Sequence, residues 1–251
     1  MLDENTIKNL LKHDFEFISE LGSGGFGNVV KVKHQISKQF FAVKRLNNNR
    51  KENPDNILRE IQAIARFDHP NIINYNHSFI EDNELYLVME YCSKGSLRNW
   101  LSKKGKFNID HAIDIFLKLT QAFDFLHKKD YVHHDIKPEN ILLTEDFNIK
   151  ISDFGTVNTK IGTIIYSAPE MLMSDPSEND VRVDVFSLGI TFMECITGEN
   201  PFEKCNFQEQ IFMVKRANFP IKQLPYWLQQ LLLKACHYDP SARFQSMIEF
   251  H

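Results

Sequence analysis

The chain has 251 residues, of which 43% are hydrophobic and 25% are charged, values typical of a soluble globular protein with one large domain or two small lobes. Its formal net charge of −4 excludes a global basic field that would recruit nucleic acid or an anionic membrane. No run approaches the roughly 18 apolar residues that a membrane span needs, and the N-terminus lacks a signal-peptide pattern. Four widely spaced cysteines are expected to be reduced thiols of a cytoplasmic protein.

The first 92 residues predict a small antiparallel sheet. Residues 6–12 could form a short leading helix, and apolar spacing after Pro54 predicts a longer helix over residues 55–67. Turns are predicted at Ser37–Lys38 and at residues 81–83. Alternating apolar residues predict five strands, at residues 15–21, 27–35, 39–46, 73–80 and 85–92.

Beyond Ser93 the pattern becomes helical. Ser96 can cap the first helix of this half, and the nearly uniform apolar run at residues 185–198 predicts a helix buried on most faces. The other predicted helices cover residues 97–104, 111–129, 227–236 and 246–250. The boundary between the halves is expected near Glu90–Lys94, and ligand sites tend to lie in clefts at such boundaries.

A glycine-rich segment is the first candidate site. Gly22, Gly24 and Gly27 form GxGxxG, in which glycines let backbone amides approach phosphate oxygens. By itself the motif is a weak signal. A dinucleotide-binding turn needs a helix after the glycines, whereas a strand-like run follows here. A hairpin over phosphates is therefore the better interpretation.

A second candidate site lies in HHDIKPEN and in the DFG that follows it. Asp135, Asn140 and Asp153 converge if the intervening residues form a returning strand. Such hard oxygen ligands suit Mg²⁺. Upstream, Lys44 in FAVK is either a solvated strand lysine or a phosphate contact clamped by Glu60 of the predicted helix. A base, a metal site and a phosphate-binding lysine are what phosphoryl transfer requires.

From about Phe15 to Ile248 these motifs together resemble a eukaryotic-type protein kinase. The matching segments, in order, are GSGGFGNV, FAVK, Glu60, HHDIKPEN, DFG, APE at residues 168–170, DVFSLG from Asp184, and Arg243. The resemblance implies an α+β, bilobal fold in a single kinase domain over residues 1–251. Its N-lobe, a five-stranded antiparallel sheet with one main helix, would cover about 1–90, the hinge about 90–94, and the mainly helical C-lobe about 95–251.

The resemblance also implies catalytic roles and two cofactors, ATP and Mg²⁺. Lys44 would contact the α- and β-phosphates and pair with Glu60, Asp135 would accept the substrate proton, and Lys137 would neutralise the transferring phosphoryl group. Asn140 and Asp153 would hold Mg²⁺. The other implied nucleotide contacts are Leu21, Gly22, Gly24, Gly27, Val29, Ala42, Met89, Glu90, Cys92 and Leu142. Architectural roles are implied for a Glu170–Arg243 pair and for Asp184, which would brace the backbone of the catalytic loop, the HHDIKPEN segment at residues 133–140.

The implied acceptor is a protein serine or threonine. Lys137, two residues after the base, and Gly162–Thr163, ahead of APE, resemble the Ser/Thr-specific pattern. Glu139 and Glu194 match positions that favour basic residues before the acceptor. Acids on helix surfaces are otherwise simply solvated, so both interpretations stay open.

Two departures from the family pattern lead to a hypothesis about regulation. His134 replaces the arginine that usually precedes the base, and the segment between DFG and APE has 12 residues, fewer than is usual in the family. In the family that arginine often binds a phosphate on the activation loop, whereas a histidine is only partly protonated near neutral pH. We therefore expect activity without activation-loop phosphorylation. The alternative is that His134 or Lys160 substitutes for the arginine.

The leading hypothesis is an active ATP-dependent Ser/Thr protein kinase. The rival is a pseudokinase that binds nucleotide or a partner without transferring phosphate. The expected partner is a protein substrate, without nucleic acid or membrane, and the oligomeric state stays open. A weaker resemblance to the kinases of the translation initiation factor 2 α subunit rests on residues 17–34 and 89–101, although the long insert usual in those kinases is missing between the fourth and fifth strands.

Overall fold

A computed structural model describes residues 4–24, 27–46, 67–154, 164–173 and 180–251. The chain divides into two compact units, Met1–Ser93 and Lys94–His251. Several sequence predictions fall outside the described residues: Glu60, the 55–67 helix except its last position, Gly155, Thr156, Thr159, Lys160, Gly162 and Thr163.

The first unit contains the predicted five-stranded sheet. The strands are β1 Phe15–Gly24, β2 Gly27–His34, β3 Phe40–Leu46, β4 Tyr75–Glu81 and β5 Glu84–Glu90. All neighbouring strands are antiparallel, in the order β1-β2-β3-β5-β4. The β4–β5 turn uses left-handed backbone at Asp82 and Asn83, with φ of 50° and 60°, which these two residue types tolerate better than most.

The leading helix, α1 (Glu4–Lys12), completes the core of this unit. Leu10 is fully buried and belongs to an apolar cluster on one face of the sheet. The other buried members are Phe15, Val30, Val32, Val43, Tyr86 and Val88. Polar contacts anchor the helix to the β4–β5 turn, with Asn9 Nδ2 donating to Asp82 Oδ2 at 2.9 Å.

The second unit is mainly helical and also holds a small sheet, in which β6 (Gly95–Ser96), β7 (Ile141–Leu143) and β8 (Ile149–Ile151) are antiparallel neighbours. Its α-helices are α2 Leu97–Lys104, α3 Ile109–His127, α4 Pro169–Met173, α5 Arg182–Thr197, α6 Phe207–Lys215, α7 Tyr226–Ala235 and α8 Met247–Phe250. The α+β fold class predicted from the sequence is confirmed. Among the described residues, none of the helices has the length and apolar composition needed to span a bilayer.

Local sequence signals explain several of these helices. Ser96 caps α2 as predicted, and its side chain and that of Asn99 form a reciprocal capping box. Helix α5 is buried over nearly its whole length, as its apolar run predicts. Helix α6 was missed, although Asn206 and Glu209 form a capping box at its start, a signal that was readable in the sequence.

Candidate active site

Four predicted nucleotide contacts share one face of the first unit's sheet. Lys44 lies opposite Val29 on β2, and Ala42 lies opposite Met89 on β5. Ala42 and Lys44 are two positions apart on β3, so their side chains point to the same face, and directly opposed residues share that face. Val43, between them, points into the apolar cluster on the other side. One face of the sheet therefore builds the core, and the other carries the candidate nucleotide residues.

The glycine segment forms a strand-to-strand hairpin. Gly24 pairs with Gly27, and Gly22 pairs with Val29, so a strand follows the glycines as predicted. Gly27 has a φ of 131°, and a Cβ there would lie 1.8 Å from the carbonyl oxygen of Arg45. Only glycine fits that position. Among the described residues, no atom lies within 4 Å of a Cβ built on Gly22.

Three further residues that the resemblance assigns to the nucleotide, Met89, Glu90 and Cys92, lie at the end of β5 and just after it. Met89 and Cys92 are each 8% exposed. The backbone N–H of Glu90 donates to the carbonyl oxygen of Asn74 at 3.0 Å, and the Glu90 carboxylate accepts from the Asn74 N–H at 2.8 Å. The N–H of Glu90 is thus committed to the protein, so recognition of adenine would use other backbone groups of this segment.

The remaining predicted nucleotide contacts lie in two different units. Leu21 on β1 is 44% exposed, and Leu142 is the central residue of β7 in the second unit.

Asp135, Lys137 and Asn140 meet in the second unit. Asp135 is only 4% exposed, and Lys137 Nζ donates to both of its carboxylate oxygens, at 2.7 and 3.0 Å. Asn140 Nδ2 donates to Asp135 Oδ2 at 2.9 Å and to its backbone oxygen at 2.8 Å. The ammonium and the amide fix the orientation of this carboxylate, as a base that must meet a substrate hydroxyl requires.

The β7–β8 hairpin brings the residue before Asp153 into contact with Asn140. Ile141 pairs with Ile151, and the following Ser152 donates to the carbonyl oxygen of Asn140 from its backbone N–H at 2.8 Å and from its hydroxyl at 3.0 Å. Asp153 comes directly after, with left-handed backbone (φ 64°). The chain returns beside the catalytic loop on a strand, which is the arrangement that the sequence predicts.

Asp184 braces the catalytic-loop backbone, as predicted. This fully buried carboxylate accepts the backbone N–H groups of His133 and His134 at 2.8 and 2.9 Å, and His127 Nε2 lies 2.9 Å from it. Burial alone would raise the pKa of Asp184, but the hydrogen bond and charge of His127, helped by His133 and His134, lower it below its ordinary value. The carboxylate form is therefore favoured, and it holds His134 in left-handed backbone (φ 65°).

Two residues missed by sequence reasoning join the catalytic loop to Asp-Phe-Gly. His133 Nε2 lies 3.2 Å from the carbonyl oxygen of Ser152, and its ring centroid is 5.3 Å from that of Phe154. Tyr131 donates from its hydroxyl to the carbonyl oxygen of Phe154 at 2.6 Å. Both contacts span about twenty residues of sequence, so no local pattern could have indicated them.

The donor set fits a hard divalent cation bound together with phosphate oxygens. The amide nitrogen of Asn140 is committed to Asp135, so its oxygen is the atom that could serve as a metal ligand. Asp153, the carboxylate ligand, comes directly after Ser152, which hydrogen-bonds to the backbone oxygen of Asn140. No cluster of three or more His, Cys, Asp or Glu side chains suited to a metal occurs in the described parts of the chain. One carboxylate and one amide oxygen suit Mg²⁺, which keeps several waters and phosphate oxygens as ligands.

A guanidinium occupies the space between the two acids that the sequence associates with substrate preference. Arg98 of α2 donates to Glu139 Oε1 at 2.7 Å, to Glu194 Oε1 at 2.5 Å and to the Tyr166 hydroxyl. Tyr166 in turn donates to Glu194 Oε2 at 2.5 Å. Glu194 is 2% exposed, so the solvated interpretation is wrong for this residue.

The electrostatics of this cluster favour a charged arginine and a neutral tyrosine. Desolvation lowers the pKa of Arg98, but hydrogen bonds to Glu194 and Glu139 outweigh it and raise the pKa. Burial, together with the negative charge of Glu194, raises the pKa of Tyr166.

The predicted Glu170–Arg243 pair is confirmed. Two guanidinium nitrogens of Arg243 donate to the two carboxylate oxygens of Glu170 at 2.6 and 2.7 Å. The arginine side chain is fully buried, and its Nε donates to the carbonyl oxygen of His237 at 2.7 Å. This bidentate pair ties the APE segment to the C-terminal part of the unit.

Comparison with known proteins agrees with this geometry. The protein kinase domain family matches residues 15–249. A rat interferon-induced, double-stranded RNA-activated protein kinase is 34% identical over 76% of this chain and 42% of its own length. A probable serine/threonine-protein kinase of Clostridium perfringens is 31% identical over 97% of this chain and 38% of its own length. The Aurora kinase of Saccharomyces cerevisiae is 34% identical over 98% of this chain and 71% of its own length.

The chain belongs to the protein kinase domain family. Within that family its sequence is of the eukaryotic serine/threonine type. The resemblance identified from the sequence is thereby confirmed, and the weaker one to the kinases of translation initiation factor 2 α is also seen. The chain spans less than half the length of the rat and clostridial relatives.

Proposed function

We propose that this chain transfers the γ-phosphoryl group of ATP to a serine or threonine hydroxyl of a protein, with Asp135 as the base. The observation that carries the proposal is the buried Asp135 carboxylate, held by Lys137 and Asn140, with Asp153 following the hairpin that hydrogen-bonds to Asn140. Asp135, Lys137 and Asn140 form one hydrogen-bonded cluster, and binding of a nucleotide without phosphate transfer would not require an oriented base.

Each candidate residue has a distinct proposed role. Asp135 orients the acceptor hydroxyl and takes its proton. Lys137, 2.7 Å from Asp135, neutralises charge that develops on the transferring group. Lys44, on the sheet face with Ala42, contacts the α- and β-phosphates and pairs with Glu60. The other nucleotide contacts inferred from the sequence, including Leu142, are proposed for adenine and the phosphates.

Asn140 and Asp153 are proposed to hold Mg²⁺. An ion held by these two residues would supply positive charge to neutralise the phosphates. The support is that Asp135 holds the amide nitrogen of Asn140, which leaves the amide oxygen as the ligand atom, and that Ser152, next to Asp153, hydrogen-bonds to the backbone oxygen of Asn140. Gly162–Thr163 is proposed to support the base on the substrate side, as the Ser/Thr pattern implies.

Loss of Asp153 should separate an active kinase from a pseudokinase. We expect wild type to incorporate radiolabelled phosphate into a generic protein substrate, and Asp153→Ala to reduce incorporation by at least about 10²-fold, because a ligand of the phosphate-bound cation is lost. The matched control is Asp146→Ala in the β7–β8 turn, which should retain activity. If wild type bound nucleotide but transferred no phosphate, the chain would be a pseudokinase.

Activity is proposed to be independent of activation-loop phosphorylation. The support is the buried Asp184 carboxylate, which fixes the backbone of His133 and His134 by direct hydrogen bonds. The position before the base is therefore held from within the unit, and His134 lacks the permanent charge that pairs with a phosphate.

Phosphatase treatment should therefore leave turnover within about twofold of the untreated enzyme. The variants Thr156→Ala and Thr159→Ala should also keep turnover within about twofold of wild type. These threonines are the hydroxyl residues between DFG and the Gly-Thr pair. Mass spectrometry before and after treatment would verify that phosphate was removed. Loss of turnover on dephosphorylation would contradict the proposal and favour His134 or Lys160 as a phosphate-binding cation.

We also propose that residues 1–251 form one kinase domain, with an N-lobe to about residue 90, a hinge at about 90–94 and a C-lobe from about 95. We propose cytoplasmic protein substrates, and the net charge of −4 supports neither nucleic acid nor membrane as a partner of this segment. The α subunit of translation initiation factor 2 belongs in any substrate panel.

A further inference from the structure

We propose that Arg98 is a specificity-determining residue, a built-in occupant of a two-carboxylate site that would otherwise bind an arginine of the substrate. The inference rests on the proposed kinase function and deepens it. The guanidinium of Arg98 bridges Glu139 and Glu194 at 2.7 and 2.5 Å and also contacts the Tyr166 hydroxyl. Removing the guanidinium would leave a slot already shaped for this group.

The slot lies beside the catalytic base in the second unit. Glu139 is in the short helical turn Pro138–Asn140, four residues after Asp135, and the next residue, Asn140, contacts the Asp135 carboxylate. A substrate hydroxyl must come within about 3 Å of Asp135. In an extended substrate, residues two or three positions away lie roughly 7–10 Å from the acceptor, within reach of Glu139.

The slot is open on one side and closed on the other. The side chains of Glu139 and Arg98 are 42% and 31% exposed, whereas that of Glu194 is 3% exposed. Tyr166, itself buried, donates to Glu194 and fixes its orientation. The buried acid and the tyrosine form a rigid floor, and Arg98 covers them from the solvent side.

Because Arg98 occupies the slot, the enzyme has no reason to prefer substrates with basic residues. Arg98 fills the position between the two acids and compensates one of their two charges, so a substrate arginine finds no pair of free carboxylates. Wild type is therefore expected to accept substrates without basic residues before the acceptor, and the loss of Arg98 should create a demand for arginine.

The test compares peptides that carry arginine or citrulline, its neutral isostere, at each position from one to five residues before a serine. With wild type, kcat/KM should differ by less than about threefold within each pair. With Arg98→Ala, arginine should be favoured by about tenfold or more at one position, as expected for a bidentate guanidinium–carboxylate contact. Arg98→Ala combined with Glu139→Gln should lose most of that preference. If wild type already preferred arginine tenfold, or Arg98→Ala stayed indifferent, the inference would be overturned.

A second measurement does not depend on activity. Propylguanidinium at millimolar concentration should raise the melting temperature of Arg98→Ala but not that of wild type, because a ligand that binds only the folded state stabilises it. Propylammonium, which has the charge without the planar fork, should have a smaller effect. Equal effects of propylguanidinium on both proteins would count against the slot. Should Arg98→Ala fail to fold, Arg98→Gln replaces it in both experiments.

Failure of this inference is distinguishable from failure of the proposed function. If wild type phosphorylates no peptide, the proposed function fails, while the thermal experiment still decides whether the slot exists. If wild type phosphorylates peptides and the Arg98 variants show neither a new arginine preference nor guanidinium rescue, only the inference on Arg98 falls.

Discussion

Asp135→Asn should lower kcat by about 10²- to 10⁴-fold, the range typical of a lost general base. Asparagine has nearly the same shape and can still accept a hydrogen bond from Lys137 or Asn140, which donate to the carboxylate at 2.7 and 2.9 Å. The variant therefore loses the proton acceptor and the charge that orient the substrate hydroxyl, with little change in volume. Single-turnover transfer to a serine peptide at saturating ATP measures the chemical step directly.

A matched control is Asp114→Asn on helix α3, because Asp114 is 63% exposed in an ion pair with Lys118. This variant makes the same chemical change on a solvated surface and should keep wild-type kcat. ATP affinity should stay within a few-fold in Asp135→Asn, since the proposed nucleotide contacts are other residues. Retention of more than a tenth of wild-type kcat by Asp135→Asn would contradict its assignment as the base.

Arg243→Ala should lower the free energy of unfolding by about 3–5 kcal/mol, the range for removing one partner of a buried ion pair. The loss leaves the carboxylate of Glu170, only 18% exposed, without its bidentate partner. It also removes a donor from the carbonyl oxygens of His237 and Arg182 and a cation 5.0 Å above the Phe186 ring. Urea denaturation followed by circular dichroism would measure the change.

Lys118→Ala provides the comparison for this stability prediction. It also deletes the cation of an ion pair, but the two side chains are 35% and 63% exposed, and exposed helix pairs contribute about 0.3–0.5 kcal/mol. Comparable losses in the two variants would show that burial of the Glu170–Arg243 pair does not govern its contribution.

Features that depend on neighbouring residues were predictable from the sequence. Strand alternation, the capping box at Ser96 and the turn at Asp82–Asn83 arise from backbone sterics and hydrogen bonds within a few residues. The order of the catalytic motifs likewise identified the family. The convergence of Asn140 with the Asp153 segment was predictable because a short hairpin is itself a local structure.

Contacts between distant residues were decided only by the tertiary structure. Arg98 lies 41 residues from Glu139 and 96 from Glu194, and its sequence neighbourhood is that of an ordinary capped surface helix. Asp184 reaches the backbone of His133 across 51 residues. Periodicity shows which side of a helix faces the core, but not which distant side chain it meets there. That depends on how α2, α5 and the catalytic loop pack, because ion pairs and hydrogen bonds act only over a few ångströms in space.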